Sequence, residues 1–298
     1  IKYISPVNEP QVSWGGDDVY QEGCHYETEE LFKLYKLFAK SIKARGLDVK
    51  LSMCEVSKIT SKTFDYLKYV YNDPDLREVL GTYTYHSYCS DINYFIKSWW
   101  GRYIKKYPGV IYDMSEWCEL PVTMSNKSTR SALFMARVMA QDMFISNASF
   151  WSAWVAVSEG DENGDGLIIA NHDCSEYYVA QRYYAMAHFS KFVPEGSRLI
   201  SCKKDVNDRF SSMSREKLEN YISFRTNTAA FLTPDGKIVL VIVNGGKEHT
   251  FSLSGIEGRD HLTTYTTDGN RKVELTYDGA YQQTLTIPAY SITTAIFE

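Results

Sequence analysis

Two glutamates each follow a short apolar run directly, in the sequences Asn8-Glu9-Pro10 and Ser115-Glu116-Trp117. If both runs are parallel strands, their carboxyl ends lie on one face of the sheet, where barrel enzymes keep their active sites. Paired carboxyl groups suit glycoside hydrolysis, because a protonated one supplies a proton to the leaving oxygen while an ionised one attacks the anomeric carbon. Burial and mutual repulsion separate the two pKa values. The placement of Glu9 and Glu116 therefore predicts a two-glutamate hydrolytic site.

The aromatic content indicates which ligand such a site would take. The chain has 298 residues, of which 23 are Tyr, 14 are Phe and 6 are Trp, together 14%. Aromatic rings stack on bases or on sugars, and the formal net charge of −5 disfavours nucleic acid, because phosphate binding needs a basic face. No apolar run approaches the roughly 20 residues of a membrane span, so none is predicted. A carbohydrate is the expected partner.

Other polar residues near strand ends offer competing interpretations. Glu55 and Glu159 are rival carboxylates, better suited to substrate contact than to catalysis. The stretch Asp161–Gly166 imitates the opening of a calcium loop, but the closing position is His172, where such loops need a bidentate Glu. The cysteines include no CxxC pair, which disfavours structural zinc, and a cysteine nucleophile beside His86 explains less than the carboxylate pair. The sequence thus predicts no cofactor and no metal.

The elements that would position these residues alternate between short apolar runs and helical patterns, which is typical of a parallel α/β sheet. Predicted helices begin near Thr28, which is placed as a cap, and near Asp91, Ser131 and Ser175. The predicted strands are Tyr3–Val7, Val49–Met53, Gly81–His86, Val110–Ser115 and Ser149–Val155.

After Gly196 the pattern changes to short strands separated by turn signals such as Pro234-Asp235-Gly236. Tyr221–Phe224 is one of these predicted strands, and the polar stretch Lys203–Asn220 is predicted as a loop. A compact all-β domain of about 100 residues, plausibly a sandwich, fits this pattern. We therefore predict an α/β domain over residues 1–195 and a β-sandwich domain over residues 196–298.

Four sites occur along the chain in a recognisable order: Asn8-Glu9-Pro10, His86-x-Tyr88, Ser115-Glu116 and Trp154. Their order and spacing resemble those of the clan A retaining glycosidases, and within that clan the chain is similar to glycoside hydrolase family 30. The runs Ile4–Gln11 and Gln21–Cys24 are close to the family's endo-β-1,6-galactanase-like branch. The ending Ile287–Thr294 is similar to the last strand of its side β-domain. The resemblance covers nearly the whole chain.

The resemblance implies a role for each matching side chain. Glu9 matches the family's acid/base, and Glu116 matches its nucleophile. The implied substrate-binding residues are Asn8, which holds the 2-hydroxyl of the cleaved sugar, Tyr88, whose hydroxyl bonds the nucleophile, His86, a polar wall, and Trp154, the platform under the sugar.

The resemblance also implies a (β/α)8 TIM barrel, of which only the last five β/α units can be counted. Tyr3–Val7 then matches the family's fourth barrel strand, so the first three are expected from the same chain or from another one. The chain looks like the C-terminal part of a longer enzyme that is secreted, periplasmic or displayed at the cell surface. The expected function is retaining hydrolysis of a β-linked glycan such as β-1,6-galactan. The alternative is a non-catalytic carbohydrate-binding protein that keeps the cleft.

Overall fold

The computed structural model describes residues 1–14, 23–91, 93–120, 124–160, 164–202 and 226–298. These residues form two compact units: the first comprises Ile1–Trp117 and Ile145–Ser152, and the second comprises Cys118–Phe144 and Ala153–Glu298. The predicted domain boundary at residue 195 stays a prediction. None of the helices in these ranges has the length and apolarity needed to cross a membrane. The predictions that lie outside the described residues are the strand Tyr221–Phe224, the loop Lys203–Asn220, the start of the calcium-like loop at residues 161–163, and Gln21 and Glu22 of the galactanase-like run.

The first unit contains the parallel sheet that the sequence predicts. Its five strands lie side by side in chain order, and each pairs in parallel with the next. The strands are β1 (Tyr3–Ile4), β2 (Lys50–Val56), β3 (Leu80–His86), β4 (Tyr112–Glu116) and β5 (Ala148–Trp151). Because all the strands point the same way, their carboxyl ends share one edge of the sheet.

Four α-helices lie in the connections from β1 to β4: α1 (Thr28–Ala44), α2 (Ser61–Asn72), α3 (Pro74–Val79) and α4 (Tyr94–Tyr103). The prediction of Thr28 as the cap of α1 is wrong, because Glu27 is the cap and forms a capping box with Glu30. Neither α2 nor α3 was predicted. Asp73 separates them and accepts hydrogen bonds from the first backbone amides of α3, so one apolar stretch becomes two short helices.

The two faces of the sheet differ in polarity. Thr82, Thr84 and His86 share one face of β3, and Thr82 donates a hydrogen bond to Ser52 of β2 at 3.1 Å. On the other face, tyrosines of β3 and β4 pack around the buried ring of Trp100 from α4, at centroid distances between 5.7 and 5.9 Å. The aromatic face therefore packs against α4, and the polar face contains the candidate site residues.

A bulge interrupts β2 where the strand reaches the site. Met53 pairs with Tyr83 and Val56 pairs with Tyr85, so β2 uses one residue more than β3 over the same span. The two residues inside the bulge, Cys54 and Glu55, have positive φ angles of 88° and 45°, which side-chain-bearing residues seldom adopt. The buried hydroxyl of Tyr35 on α1 accepts a 2.7 Å hydrogen bond from the Cys54 amide and holds the bulge from the helix side.

The second unit contains two helices and the predicted antiparallel strands. It begins with α5 (Thr129–Phe144), a small three-stranded sheet and α6 (Gln181–Ser190). The small sheet comprises β6 (Val157–Glu159), β7 (Ile168–Ala170) and β8 (Tyr177–Val179). The predicted helix start near Ser175 is wrong, because Tyr177–Val179 pairs with β7 before the helix begins.

Eight further strands follow α6: β9 (Arg198–Ile200), β10 (Thr226–Leu232), β11 (Ile238–Asn244), β12 (His249–Ser252), β13 (His261–Thr267), β14 (Glu274–Ala280), β15 (Thr284–Ile287) and β16 (Ser291–Phe297). Six of them form a sheet in the order β14-β13-β16-β11-β10-β9, and β12 pairs with β15 separately. The sequence pattern does not predict β10, and the turn Pro234-Asp235-Gly236 joins it to β11 as expected. The core between the eight strands includes Ile242, Leu262, Leu285, Ile287, Ala295 and Phe297.

Candidate active site

Glu9 lies in the turn after β1 and is only 3% exposed. Its backbone has a φ of 47°, and its amide donates to the Glu55 carbonyl at 2.9 Å, so the bulge of β2 helps to set its position. Trp14 Nε1 donates to Oε2 of Glu9 at 2.6 Å, while Nδ1 of His86 lies 2.9 Å from Oε1. Both carboxylate oxygens are therefore held before any ligand binds.

Glu116 ends β4 and pairs in register with His86 of the neighbouring β3. The Tyr88 hydroxyl donates to Oε1 of Glu116 at 2.9 Å. Burial raises the pKa of Glu116, while the charge of His86 and the Tyr88 hydrogen bond act in the opposite direction. The sequence-based expectation that Tyr88 bonds this carboxylate is met by the geometry.

His86 is 1% exposed and lies among three carboxylates. Its Nδ1 is 2.9 Å from Oε1 of Glu9 and 3.7 Å from Oε1 of Glu116, and its Nε2 is 3.3 Å from Oε2 of Glu55. Burial alone would lower its pKa, but the hydrogen bonds to Glu55 and Glu9, together with the charge of Glu116, outweigh burial and raise it to about 9. The sequence suggests His86 only as a polar wall of the site. In the structure its imidazole lies within 4 Å of all three carboxylates.

Two residues of this network were not assigned to it from the sequence. The sequence predicts Glu55 as a rival carboxylate suited to substrate contact, whereas in the structure Ser115 Oγ donates to its Oε2 at 2.5 Å and His86 contacts the same oxygen. The sequence predicts no role for Trp14, which donates to Glu9. The position of Trp14, a few residues after the Asn8-Glu9-Pro10 turn, could have indicated its contact with Glu9. The direction of the Glu55 side chain depends on a bulge that no local sequence pattern predicts.

A cavity of about 440 Å³ opens beside the network. Asn8 is exposed and lines it, and its contact with the substrate stays a prediction. The cavity is lined by Ser5, Pro6, Val7, Asn8, Cys24, Glu55, His86, Ser115 and Glu116. The first unit thus brings together Asn8, Glu9, His86, Tyr88 and Glu116. Trp154 belongs to the second unit and is 49% exposed, so its role as a sugar platform stays a prediction.

Glu9, His86 and Glu116 also form the one group among the described residues whose ligand atoms could together hold a metal ion. One atom from each lies within 4.8 Å of the others. Nδ1 of His86 lies at hydrogen-bonding distance from Glu9 and at ion-pair distance from Glu116. These two contacts account for the grouping. The same distance limit shows that a Glu9 oxygen and a Glu116 oxygen approach within 4.8 Å.

Comparison with protein families identifies the chain over most of its length. Residues 1–169 match the model of O-glycosyl hydrolase family 30, and residues 223–295 match the family 30 β-sandwich domain. The chain belongs to glycoside hydrolase family 30. The predicted family and its fold class, a TIM barrel with a β-sandwich, are confirmed.

Similar proteins occur among both solved structures and curated sequences. The chain is similar to a conserved exported protein from Bacteroides fragilis, with a TM-score of 0.80, 23% identity and coverage of 99% of this chain. It is similar to a family 30 subfamily 8 xylanase from Clostridium acetobutylicum, with a TM-score of 0.73, 18% identity and coverage of 100% of this chain. A Caenorhabditis elegans protein named "Putative glucosylceramidase 1" is 30% identical over 102 residues, or 33% of this chain.

The family 30 chain is shorter than each of these proteins. It covers 65% of the exported protein, 66% of the xylanase and 17% of the glucosylceramidase. The named substrates of the latter two differ from each other, so family membership alone does not choose a glycan.

Proposed function

We propose that this chain carries both catalytic glutamates of a retaining β-glycosidase. The observation that carries the proposal is the approach of a Glu9 oxygen to within 4.8 Å of a Glu116 oxygen. Retaining glycosidases hold their carboxyl groups about 5 to 5.5 Å apart, whereas inverting ones leave roughly 6.5 to 9.5 Å for a water molecule. The short separation leaves no room for that water and favours direct attack by a carboxylate.

In the first step, Glu116 attacks the anomeric carbon and Glu9 gives its proton to the departing glycosidic oxygen. The bond between the anomeric carbon and that oxygen breaks as the glycosyl–Glu116 ester forms. In the second step, Glu9 takes a proton from water, whose oxygen displaces Glu116 from the anomeric carbon. Tyr88 donates to Glu116 and holds one of its oxygens in place, so that the other is free to attack.

The proposed substrate is a β-linked oligosaccharide or polysaccharide, with β-1,6-galactan as the specific candidate. Asn8 at the cavity wall would hold the 2-hydroxyl of the cleaved sugar, and Trp154 would supply the platform beneath it. Such a substrate lies outside the cytoplasm, and we propose a secreted, periplasmic or cell-surface location. The similar Bacteroides fragilis protein is described as exported, which supports this location.

We also propose that further strands, from the same or another chain, complete the barrel. Among the described residues, β1 and β5 each pair with one neighbour in this sheet, so the sheet has two open edges. A barrel of this class closes eight strands and has no edge. The polar inner face, with Ser52, Thr82 and Thr84, would then line a closed interior.

The test uses the protein that carries this chain, a panel of β-linked glycans and aryl β-glycosides with good leaving groups. Glu116→Ala should abolish nearly all turnover, and azide should not restore retained product. Glu9→Ala should lose activity on glycans and be rescued by azide on the aryl substrates, giving glycosyl azide of retained configuration. Proton NMR of the first-formed product reads the anomeric configuration.

Three outcomes would contradict the proposal. Inverted product would rule out the double displacement, and full activity of Glu116→Ala would remove its nucleophile. Saturable glycan binding without hydrolysis, in the wild type and both variants, would instead establish the non-catalytic binding protein. The exposed Asp278→Asn, in the second unit, serves as the matched carboxylate control.

A further inference from the structure

Glu55 has no step of its own in the double displacement, yet it is one of the most constrained side chains of the site. It is 7% exposed, and its Oε2 both accepts from Ser115 Oγ and contacts Nε2 of His86. Its carbonyl oxygen accepts the Glu9 amide. Glu55 therefore reaches the acid/base candidate by two routes, one through the backbone and one through the imidazole.

The backbone around Glu55 is bent to make these contacts possible. Cys54 and Glu55 have positive φ angles, and the bulge turns the strand so that Glu55 faces His86. Strained conformations of this kind persist only where the surroundings enforce them, and here Tyr35 holds the Cys54 amide. Bulges beside active sites commonly redirect a side chain, and this one redirects Glu55.

The ring of His86 has two chemically different nitrogens, and Glu55 determines which one carries a proton in the neutral form. An ionised carboxylate can only accept hydrogen bonds, so Nε2 is the donor toward an ionised Glu55 when Glu9 holds the proton of the Nδ1 contact. In the neutral ring Nδ1 is then an acceptor, and it lies 2.9 Å from Glu9. A proton on Glu9 can be given to Nδ1, and a proton on Nδ1 can be given to Glu9.

We propose that Glu55 is a positioning residue that fixes the Nε2–H form of His86, so that Nδ1 of His86 and Glu9 share the proton needed for acid catalysis. The inference deepens the proposed function and rests on it for the role of Glu9. The shared proton leaves through Glu9 to the glycosidic oxygen and is replaced by the proton that Glu9 takes from water. One proton leaves and one returns in each cycle, so the pair ends as it began.

The groups that face His86 agree with a stored proton. Glu9 comes from the turn after β1, Glu55 from β2, Tyr88 from the loop after β3 and Glu116 from β4. Three of the four are acids, and no Lys or Arg is among the partners found for His86 in the described ranges. The raised pKa of His86, about 9, has the sign that this set of neighbours requires.

The direct test is a titration of histidine followed by nitrogen-15 NMR, with His86 assigned from His86→Gln. In the wild type we expect His86 to titrate near pH 9 and to be in the Nε2–H form above that pH. Glu55→Gln removes a negative charge that favours the imidazolium, so the midpoint should fall by at least one pH unit. Asp278→Asn removes a carboxylate from the exposed His261 pair instead and should leave the His86 midpoint unchanged.

Glu55→Asp replaces Glu55→Gln if the latter does not fold. It keeps the negative charge but lengthens the contact with Nε2 of His86, so the His86 midpoint should fall by a smaller amount. An unchanged midpoint in the folded Glu55 variant, or an Nδ1–H form in the wild type, would overturn the proposal. Neither measurement depends on turnover.

The second readout is the pH profile of kcat/KM on an aryl β-glycoside. Because the acid form is lost once the pair gives up its proton, the basic limb should move to lower pH by at least one unit in Glu55→Gln. Glu55→Asp should restore part of the shift, and Asp278→Asn should show none. A uniform loss of activity without a shift would mean that Glu55 is merely structural. If the His86 midpoint moves but no glycan is hydrolysed, the proposed function fails while the proton-sharing pair stands.

Discussion

Two contacts act on the charge of Glu116 in the same direction. The Tyr88 hydroxyl donates to Oε1, and Nδ1 of His86 lies 3.7 Å from the same oxygen. Both favour the ionised carboxylate, against the burial that raises its pKa. In the proposed mechanism Glu116 must be ionised to attack, so we expect these contacts to determine how far toward acid pH the site remains active.

Tyr88→Phe removes one of these contacts without removing a reacting group. The pKa of Glu116 should rise further, and the acidic limb of kcat/KM should move to higher pH. The loss of a hydrogen bond to a charged group corresponds to about 1 to 3 kcal/mol, or roughly 5- to 150-fold in kcat/KM. The measurement is the full pH profile on an aryl β-glycoside. A profile superimposable on the wild type would place Tyr88 outside the mechanism.

At this scale the sequence revealed the residues that end regular strands. The sequence predicts Glu116 and His86 at strand ends because each closes an apolar run, and it predicts Glu9 in the turn Asn8-Glu9-Pro10 after the first strand. The contacts of Glu55 with His86 and Ser115 could not be predicted, because the direction of its side chain depends on positive φ angles that nothing in its neighbours' types requires. Sequence periodicity assumes regular alternation, and a bulge breaks that assumption.

Among the elements, α1 does more than cover the sheet. Its Tyr35 is fully buried, and its hydroxyl accepts the amide of Cys54 inside the β2 bulge. The same bulge presents the Glu55 carbonyl to the Glu9 amide. One hydroxyl on a helix thus supports the backbone of two site residues.

Tyr35→Phe should therefore destabilise the protein although it alters one atom. The Cys54 amide would stay buried without an acceptor, which costs about 1 to 3 kcal/mol. Urea unfolding measures this loss, and Tyr183→Phe, which removes the hydroxyl of an exposed tyrosine on α6, is the control. Equal stability of the two variants would show that the bulge does not need the hydroxyl.

The elements differ in how readily they could be predicted. β3 and β4 agree with their predicted positions to within a residue or two, because each is a β-rich run between polar loops. β1 is shorter than predicted, since only Tyr3 and Ile4 pair with β2. α3 was missed because it is six residues long, too short to show a helical period.

On the scale of the molecule, the second unit contains a buried histidine that links acidity to folding. Both ring nitrogens of His188 lie 2.8 Å from threonine hydroxyls, those of Thr294 and Thr267. Burial lowers its pKa to about 3, so the folded protein keeps the ring neutral where the unfolded chain would bind a proton. The folded state loses stability as the pH falls from the ordinary value of about 6.5 toward 3.

His188→Gln should flatten this dependence. The free energy of unfolding at pH 8 should be lower in this variant, because the packing around residue 188 changes. The wild type should lose on the order of 4 kcal/mol of its free energy of unfolding between pH 7 and pH 3 through His188, and the variant should not show this loss. Urea midpoints at a series of pH values measure the slope, and His261→Gln, at an exposed histidine, is the control. A slope equal to that of the wild type would mean that other groups govern acid unfolding.

The approach of Glu9 to Glu116 has a chemical consequence. Glu9 lies in the turn after β1 and Glu116 ends β4, and the three interstrand steps from β1 to β4 would span roughly 14 Å in a flat sheet. One carboxylate oxygen of each nevertheless lies within 4.8 Å of the other, because Glu9 reaches the carboxyl end of β3, where its Oε1 is 2.9 Å from Nδ1 of His86. In the proposed mechanism, the position of the turn after β1 therefore determines the stereochemical outcome. We expect a substitution that moved Glu9 a few ångströms away from Glu116 to admit a water between the two acids and to favour inversion over retention, with both glutamates still in place.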